Sequence, residues 1–361
     1  MTDAARRAGA VLEIDLGAVV SNWRTLAARH PSGPVAAVVK ADAYGLGARA
    51  VAPALHAAGC RHFFTALLDE ALAIRDLLPG AMVAVLDGLF PQAAPDFIAH
   101  ELVPVLGSPR EIETWGAAAR KAERLLPAIL HVDTGMARLG LSPADLARLP
   151  SLGGIRLLYV MTHLVAAEEP DNELNLLQRR RFEGACAALP PAPRSIANSS
   201  GIFLPGFGSN LARPGAALYG VNPTPGHPNP MRLPLRLSAR VLTLREIAAG
   251  ETVGYNATWR AERPSRIATA AIGYADGFLR SQSNRGAALF DGEALPLVGR
   301  VSMDLTTFDA TEHPALEPGD WLELIGPGRT PDEVAAAAGT NGYEILTALG
   351  RRFHRVYLPV S

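Results

Sequence analysis

The sequence predicts an α/β chain of two domains, an N-terminal (β/α)8 barrel followed by a C-terminal mainly-β domain. Three observations carry this. Short apolar runs alternate with Ala- and Leu-rich helical stretches eight times before residue 213. A proline-dense stretch at 222–234 (NPTPGHPNPMRLP) then stops the rhythm, because neither helix nor central strand runs through such composition. Beyond it come short strands separated by Gly-containing turns. At 361 residues the chain is also too long for one ordinary domain.

Val11–Leu16 reads as a strand, and Asp15 as the cap of a helix running through Val20, Trp23 and Leu26. The apolar runs of the barrel fall at 35–39, 62–66, 82–86, 102–105, 127–132, 155–161, 194–197 and 209–212. Helical stretches lie near 47–58, 69–77, 92–99, 108–122, 142–149, 173–188 and 199–204. Eight strand-then-helix units favour closure into a TIM-type barrel over a doubly wound open sheet. No dinucleotide-type glycine fingerprint follows the first strand of the rhythm, which weighs against the open sheet. The boundary sets residues 1–232 as the barrel, with strand 11–16 a candidate for packing against the second domain, and 233–361 as the β-rich domain. There strands are expected at 235–244, 251–255, 266–273, 287–290, 294–309 and 321–325, turning at Ala249-Gly250, Asp291-Gly292 and Pro318-Gly319. Two short helices start near Thr330-Pro331 and Thr340-Asn341.

Charge and composition narrow the partners. A net charge of −1 gives no reason to expect nucleic acid or an anionic membrane. Cys60 and Cys186 are too few and too separated for a disulfide framework or a thiolate metal site. The opening MTDAARRAGA has no apolar signal core, and no apolar run reaches spanning length, so a cytoplasmic enzyme without a resident metal is the expectation.

In a barrel, chemistry gathers at the carboxyl ends of the strands. Read in order, those ends carry Lys40, then His131 and Asp133 leading to Arg138, then His163, Asn198-Ser199 and Arg213. Singly each has an ordinary reading: surface arginines, a hydrogen-bonded core histidine, a lysine stretching to solvent. Five strand ends bearing such groups together look like a site. A lysine closing a buried strand is desolvated, which lowers its pKa and suits Schiff-base chemistry. Asn198-Ser199-Ser200-Gly201 and Arg213-Pro214-Gly215-Ala216 offer amides and a hydroxyl for an anion. A reactive lysine beside a phosphate cradle points to pyridoxal 5'-phosphate, which needs both.

Taken in order along the chain, the motifs VVKADAYGLG (38–47), VDTGMARLG (132–140), MTH (161–163), ANS (197–199), RPGAALYG (213–220), VGYNAT (253–258), IGYADG (272–277) and GRVSMD (299–304) resemble the alanine racemase family across essentially the whole length. The resemblance implies a homodimer with shared active sites, acting on alanine and supplying D-alanine for peptidoglycan. It implies that Lys40 holds the cofactor covalently and that Tyr255, from the partner subunit, is the second catalytic base. Arg213 would face the pyridine nitrogen, oriented by His163. Tyr44, Asn198, Ser199, Gly215, Ala216 and Tyr343 would surround the cofactor and its phosphate. Arg138 would contact cofactor and substrate carboxylate, Met303 that carboxylate, and Tyr274 with Asp304 the entrance.

Where many relatives have His, Cys and a carbamylated Lys, this chain has Leu46, Ser302 and His131. A histidine does not carry that modification stably, so Arg138 is expected to be held by other partners. Tyr343 favours alanine over serine as substrate. The competing readings are a racemase of serine or broader specificity, a pyridoxal-phosphate decarboxylase, a non-catalytic cofactor carrier, and a metal-dependent barrel hydrolase built on His131, Asp133 and His163. Arg213 opposes the decarboxylase, which would want a carboxylate there, and the C-terminal domain opposes the carrier.

Overall fold

The computed structural model describes residues 6–360. Two compact units are present. One comprises Val19–Ala43 and Gly47–Arg232; the other takes the segment ending at Ala18, the insert Tyr44–Leu46 and everything from Leu233.

The first unit is a parallel sheet in strictly sequential order: β2 (Ala37–Val38), β3 (His62–Thr65), β4 (Met82–Val85), β5 (Val103–Leu106), β6 (Leu126–His131), β7 (Ile155–Met161) and β8 (Arg194–Ser195). Each strand is parallel to the next. Apolar runs without alternation are what strands covered on both faces require; all four residues of β5 are buried. Helices connect the strands, as at Pro109–Lys121, where Ser108 caps Glu111 N–H and Trp115 Nε1 donates to Pro127 O at 3.2 Å.

The eighth apolar run forms no full strand. Its segment makes one parallel bridge, Val35 to Ala212. Backbone bonds nevertheless join it on both sides: Ala36 and Val38 donate to Ala212 and Pro214 at 2.8 and 3.1 Å, and Arg213 donates to Ala197 at 2.9 Å. Pro214 removes one donor, which keeps the ladder short. The circuit from β8 back to β2 is closed by this strip.

The second unit is an eight-stranded sheet. The first strand of the chain, β1 (Ala10–Asp15), lies here, parallel to β17 (His354–Leu358) and antiparallel to β9 (Leu235–Ile247). Its alternating buried and half-buried residues fit a sheet with one covered face. Asp15 Oδ1 accepts from Ala18 N–H at 2.8 Å and starts the helix Leu16–Arg29, as the sequence suggested. β9 serves three partners, lying between β1 and β16 (Trp321–Ile325) along its first half and pairing with β12 (Ser265–Ala270) along its second. β13 (Ala287–Phe290) and β14 (Glu293–Pro296) form a hairpin through Asp291-Gly292. The expected long strand 294–309 is β14 and β15 (Thr306–Asp309) separated by an irregular loop. Two short strands, β10 (Thr252–Val253) and β11 (Trp259–Arg260), pair with each other.

Gly277 adopts φ +93°, and a Cβ there would meet the Ala348 carbonyl oxygen at 1.9 Å. Backbone cannot yield as a flexible side chain does, so Gly277→Ala should lower stability by about 2–3 kcal/mol. Urea unfolding checks this; an unchanged midpoint contradicts it. Among the described residues no helix is long and apolar enough to cross a membrane.

Candidate active site

In the barrel unit the strand ends converge. Lys40 follows β2 and is half-buried; burial and the Arg138 charge lower its amine below the usual range, opposed by Asp87 and Glu70. The backbone then enters a left-handed turn through four residues that are not glycine, with φ of 53, 54, 55 and 52° at Ala41, Asp42, Ala43 and Tyr44. Left-handed helix costs about 1–2 kcal/mol per L-residue, so the turn needs outside restraint. At its near end Glu70 Oε1 accepts from Ala41 N–H at 2.7 Å. At its far end Asp42 Oδ1 accepts from Ala48 N–H at 2.7 Å and Gly47 N–H reaches Asp42 O at 2.8 Å.

Arg213 is buried, 5% exposed. Burial pulls its guanidinium down to about 10. Both its hydrogen bonds end on neutral oxygens: Nη1 on Ser195 Oγ, and Nη2 on Thr162 O at 2.6 Å. Thr162 precedes His163 in the chain, so the strand end rather than the imidazole supplies the bond. His163 is driven down to about 3 by burial, then by Arg213, Arg138, Lys40 and His131. His131 falls to about 4 through burial, Arg213 and Arg138, against Asp133. Both imidazoles are therefore neutral near pH 7. The mutual influence of Lys40, His131, Arg138, His163 and Arg213 places them in one neighbourhood.

The loop to Arg138 is built by Asp133. Its Oδ1 accepts from the amides of Gly135, Met136 and Ala137 at 2.9, 2.9 and 3.2 Å, and Ala137 takes φ 54°. Burial pushes this carboxyl up, but the amides of Gly135, Ala137 and Met136 outweigh it and hold the carboxyl low. Gln178, buried on the helix Glu173–Ala187, ties two strand ends together. Its Nε2 donates to Thr134 Oγ1 at 3.0 Å and to His163 O at 2.9 Å, while Oε1 accepts from Val165 N–H at 2.9 Å. A cavity of about 500 Å³ opens against His131 and Arg138, walled by Asp87, Phe90, Ser108 and Glu111 among others.

The residues expected to form an anion cradle lie side by side. Ser199 Oγ accepts from Gly215 and Ala217 N–H at 3.1 and 3.2 Å, with Ala216 between them. Asn198 Oδ1 accepts from Gly201 N–H at 2.8 Å and holds the adjoining turn.

In the other unit Tyr44 and Tyr343 influence each other; burial, then Tyr343, raises the Tyr44 phenol to about 12. Tyr343 sits in the helix Gly342–Ala348, capped by Asn341. Tyr274 and Met303 lie on interlocked loops: Tyr274 N–H donates to Ser302 O at 3.0 Å and Ala275 N–H to Met303 O at 2.9 Å. A Cβ on Gly273 would stand 2.3 Å from Met303 O, so only glycine permits this approach. Arg352 joins Asp276 at 3.1 Å and Asp304 at 2.8 Å. Tyr255 starts a turn after Gly254, which packs against Arg300. Tyr255, Tyr274 and Met303 are 64, 43 and 54% exposed, and Asp304 is exposed too.

Sequence reasoning did not single out Glu70, Thr134, Thr162, Gln178 or Ser195. Ser195 shares a strand end with Asn198 and was within reach of the pattern; the others act through partners distant in sequence. Among the described residues no three His, Cys, Asp or Glu side chains group as a metal site would need.

Comparison with known proteins agrees on one relationship. A family model described as "Alanine racemase, N-terminal domain" matches residues 14–223, and one for the C-terminal domain matches 234–357. The alanine racemase of Acidiphilium cryptum is 59% identical over 354 residues, covering 97% of this chain and 99% of that one. That of Methylobacterium nodulans is 51% identical, covering 98 and 97%. A crystal structure of alanine racemase from Bartonella henselae with covalently bound pyridoxal phosphate superposes with a TM-score of 0.94 at 42% identity, over 97% of this chain and all of that one.

Proposed function

The chain belongs to the alanine racemase family, and on that premise we propose that it interconverts L- and D-alanine using pyridoxal 5'-phosphate, as a homodimer whose partner subunit completes each site. The observation that carries the reading is the single neighbourhood holding Lys40, Arg138, His163 and Arg213. The donor set fits the cofactor. Lys40 offers an amine with a lowered pKa to an aldehyde, and Ser199, held against the Gly215–Ala217 backbone, offers its hydroxyl hydrogen to a phosphate. Arg213 is a fixed donor that cannot take a proton from a ring nitrogen. When bound, the cofactor supplies a conjugated ring that draws electron density from the substrate α-carbon.

The chain's own residues do the rest. Racemisation removes a proton from one face of the α-carbon and delivers one to the other, so two bases must stand on opposite sides. Lys40 is one, at the end of β2. Tyr255 is the other, supplied by the partner, a role favoured by its wide exposure in a single chain. Arg138 takes the substrate carboxylate, with Met303 N–H of the partner subunit beside it, while Tyr274 and Asp304 edge the entrance. Tyr44 and Tyr343 assist Ser199, Gly215 and Ala216 at the phosphate, and Tyr343 limits the substrate side chain, favouring alanine over serine. Residues 1–232 thus carry the cofactor lysine and 233–361 the second base. His131 carries no carbamate; Asp133 shapes the loop that presents Arg138 instead. The product serves peptidoglycan synthesis in the cytoplasm.

Chiral analysis of amino acids incubated with purified protein and cofactor tests this. Alanine of either hand should become a mixture of both, with serine slower. Release of carbon dioxide, or no interconversion in the presence of bound cofactor, rules the reading out.

A further inference from the structure

We propose that Glu70 is a positioning residue for Lys40, acting by holding the near end of the left-handed turn that begins at the lysine. The inference rests on the proposed role of Lys40.

Glu70 occupies the third position of the helix Leu68–Arg75, where an acid ordinarily serves only its own helix end. One oxygen does so: Oε2 accepts from Ala66 and Leu67 N–H at 2.9 and 3.1 Å. The other leaves the helix. Oε1 accepts from Ala41 N–H at 2.7 Å, a bond that capping does not require.

That N–H belongs to the peptide joining Lys40 to Ala41, so the bond fixes the plane from which the lysine side chain departs. The position is one where restraint matters. Four non-glycine residues in succession take positive φ, a conformation their own sterics oppose. The far end of the turn is closed by Asp42 with Ala48 and Gly47. Glu70 closes the end at the lysine. Both jobs need an acceptor on each oxygen, which a carboxylate has and an amide lacks. Glutamine in either orientation turns an NH₂ group toward one set of amides.

The test compares native protein, Glu70→Gln and, as control, Asp69→Asn, which removes a neighbouring first-turn charge. Amide hydrogen exchange is followed in the protein free of cofactor, peptide by peptide. In parallel, borohydride reduction of the loaded protein is followed by mass analysis of the Lys40 peptide, and kcat and KM for alanine are measured. In Glu70→Gln, exchange across 41–44 should accelerate about tenfold or more while the sheet containing β9 is unaffected. The turnover number should fall roughly ten- to a hundredfold with KM within twofold, the pattern of a misplaced reacting group. Asp69→Asn should match native in every readout.

Unchanged exchange in the turn, faster exchange with unchanged kcat, acceleration spread through the whole protein, or the same effects in Asp69→Asn each overturn the proposal. Absence of a cofactor mass on Lys40 in the native protein would instead sink the proposed function. The exchange comparison, made without cofactor, still decides whether Glu70 holds the turn.

Discussion

Tyr255→Phe is expected to cut alanine racemisation roughly 10²–10⁴-fold, the range for losing one proton-transferring group, while cofactor loading on Lys40 stays normal. The two should separate because Lys40 and its surroundings are built by the barrel unit, whereas Tyr255 is 64% exposed on a loop of the other. On the proposed two-base reading, Lys40 alone would still serve one face of the α-carbon. Exchange of the α-hydrogen with deuterium from solvent should therefore survive for one enantiomer and be lost for the other. The proposed sharing of the second base between subunits gives a sharper arm. Lys40→Ala and Tyr255→Phe, each expected to be crippled alone, should regain activity when their subunits are exchanged, since one site of every mixed dimer would have both groups intact. Random mixing then restores about one site in four. A Tyr255→Phe enzyme within tenfold of native, or a mixture as dead as its components, would remove Tyr255 from the role.

Much of this was legible in one dimension because parallel strands leave local marks. Seven of the eight apolar runs are strands, with ends within a few residues of those expected. The eighth, 209–212, is as apolar as the rest but lies against Pro214, and it bonds to the barrel as a strip with one bridge. β17, at His354–Leu358, was missed because none of its residues is fully buried and it takes its identity from a partner at the opposite end of the chain, β1. The same contrast runs through the site. Lys40, Arg138, His163 and Arg213 could be named because each closes a strand or its loop. Glu70 could not: LDEALAIR looks like any helix start, and the bond to Ala41 spans 29 positions. Nor does KADAY announce a left-handed turn, since none of its residues is glycine. That conformation is imposed by Glu70, Asp42 and Gly47, and tertiary restraint leaves no periodic trace.

Stability of the cofactor-free protein should fall steeply as pH drops below about 6.5, and His131 and His163 should account for much of the slope. Both imidazoles stand far below the ordinary 6.5, near 4 and 3, through burial and the surrounding cations. Below 6.5 the unfolded chain binds protons that the native protein refuses. Their contribution is thus complete above 6.5 and is lost as pH falls toward those lower values, at up to about 1.4 kcal/mol per pH unit for each histidine. Between about pH 8 and pH 5 both native imidazoles stay uncharged, so removing either should take away roughly half of the slope the two share. Urea unfolding of native, His131→Asn and His163→Gln proteins between about pH 8 and pH 5 reads this directly; equal slopes in all three contradict it. Asp133 is held below the usual carboxylate range, which itself lies below that window, so it does not mimic the effect. The cofactor provides a second check. A cofactor held at Lys40 and Arg213, with its phosphate at Ser199, Gly215 and Ala216, would add negative charge to strand ends where cations now disfavour a proton, and so should raise both imidazoles. The loaded protein should therefore lose stability less steeply with acid than the empty one, and an identical dependence would mean that the anion binds away from these histidines.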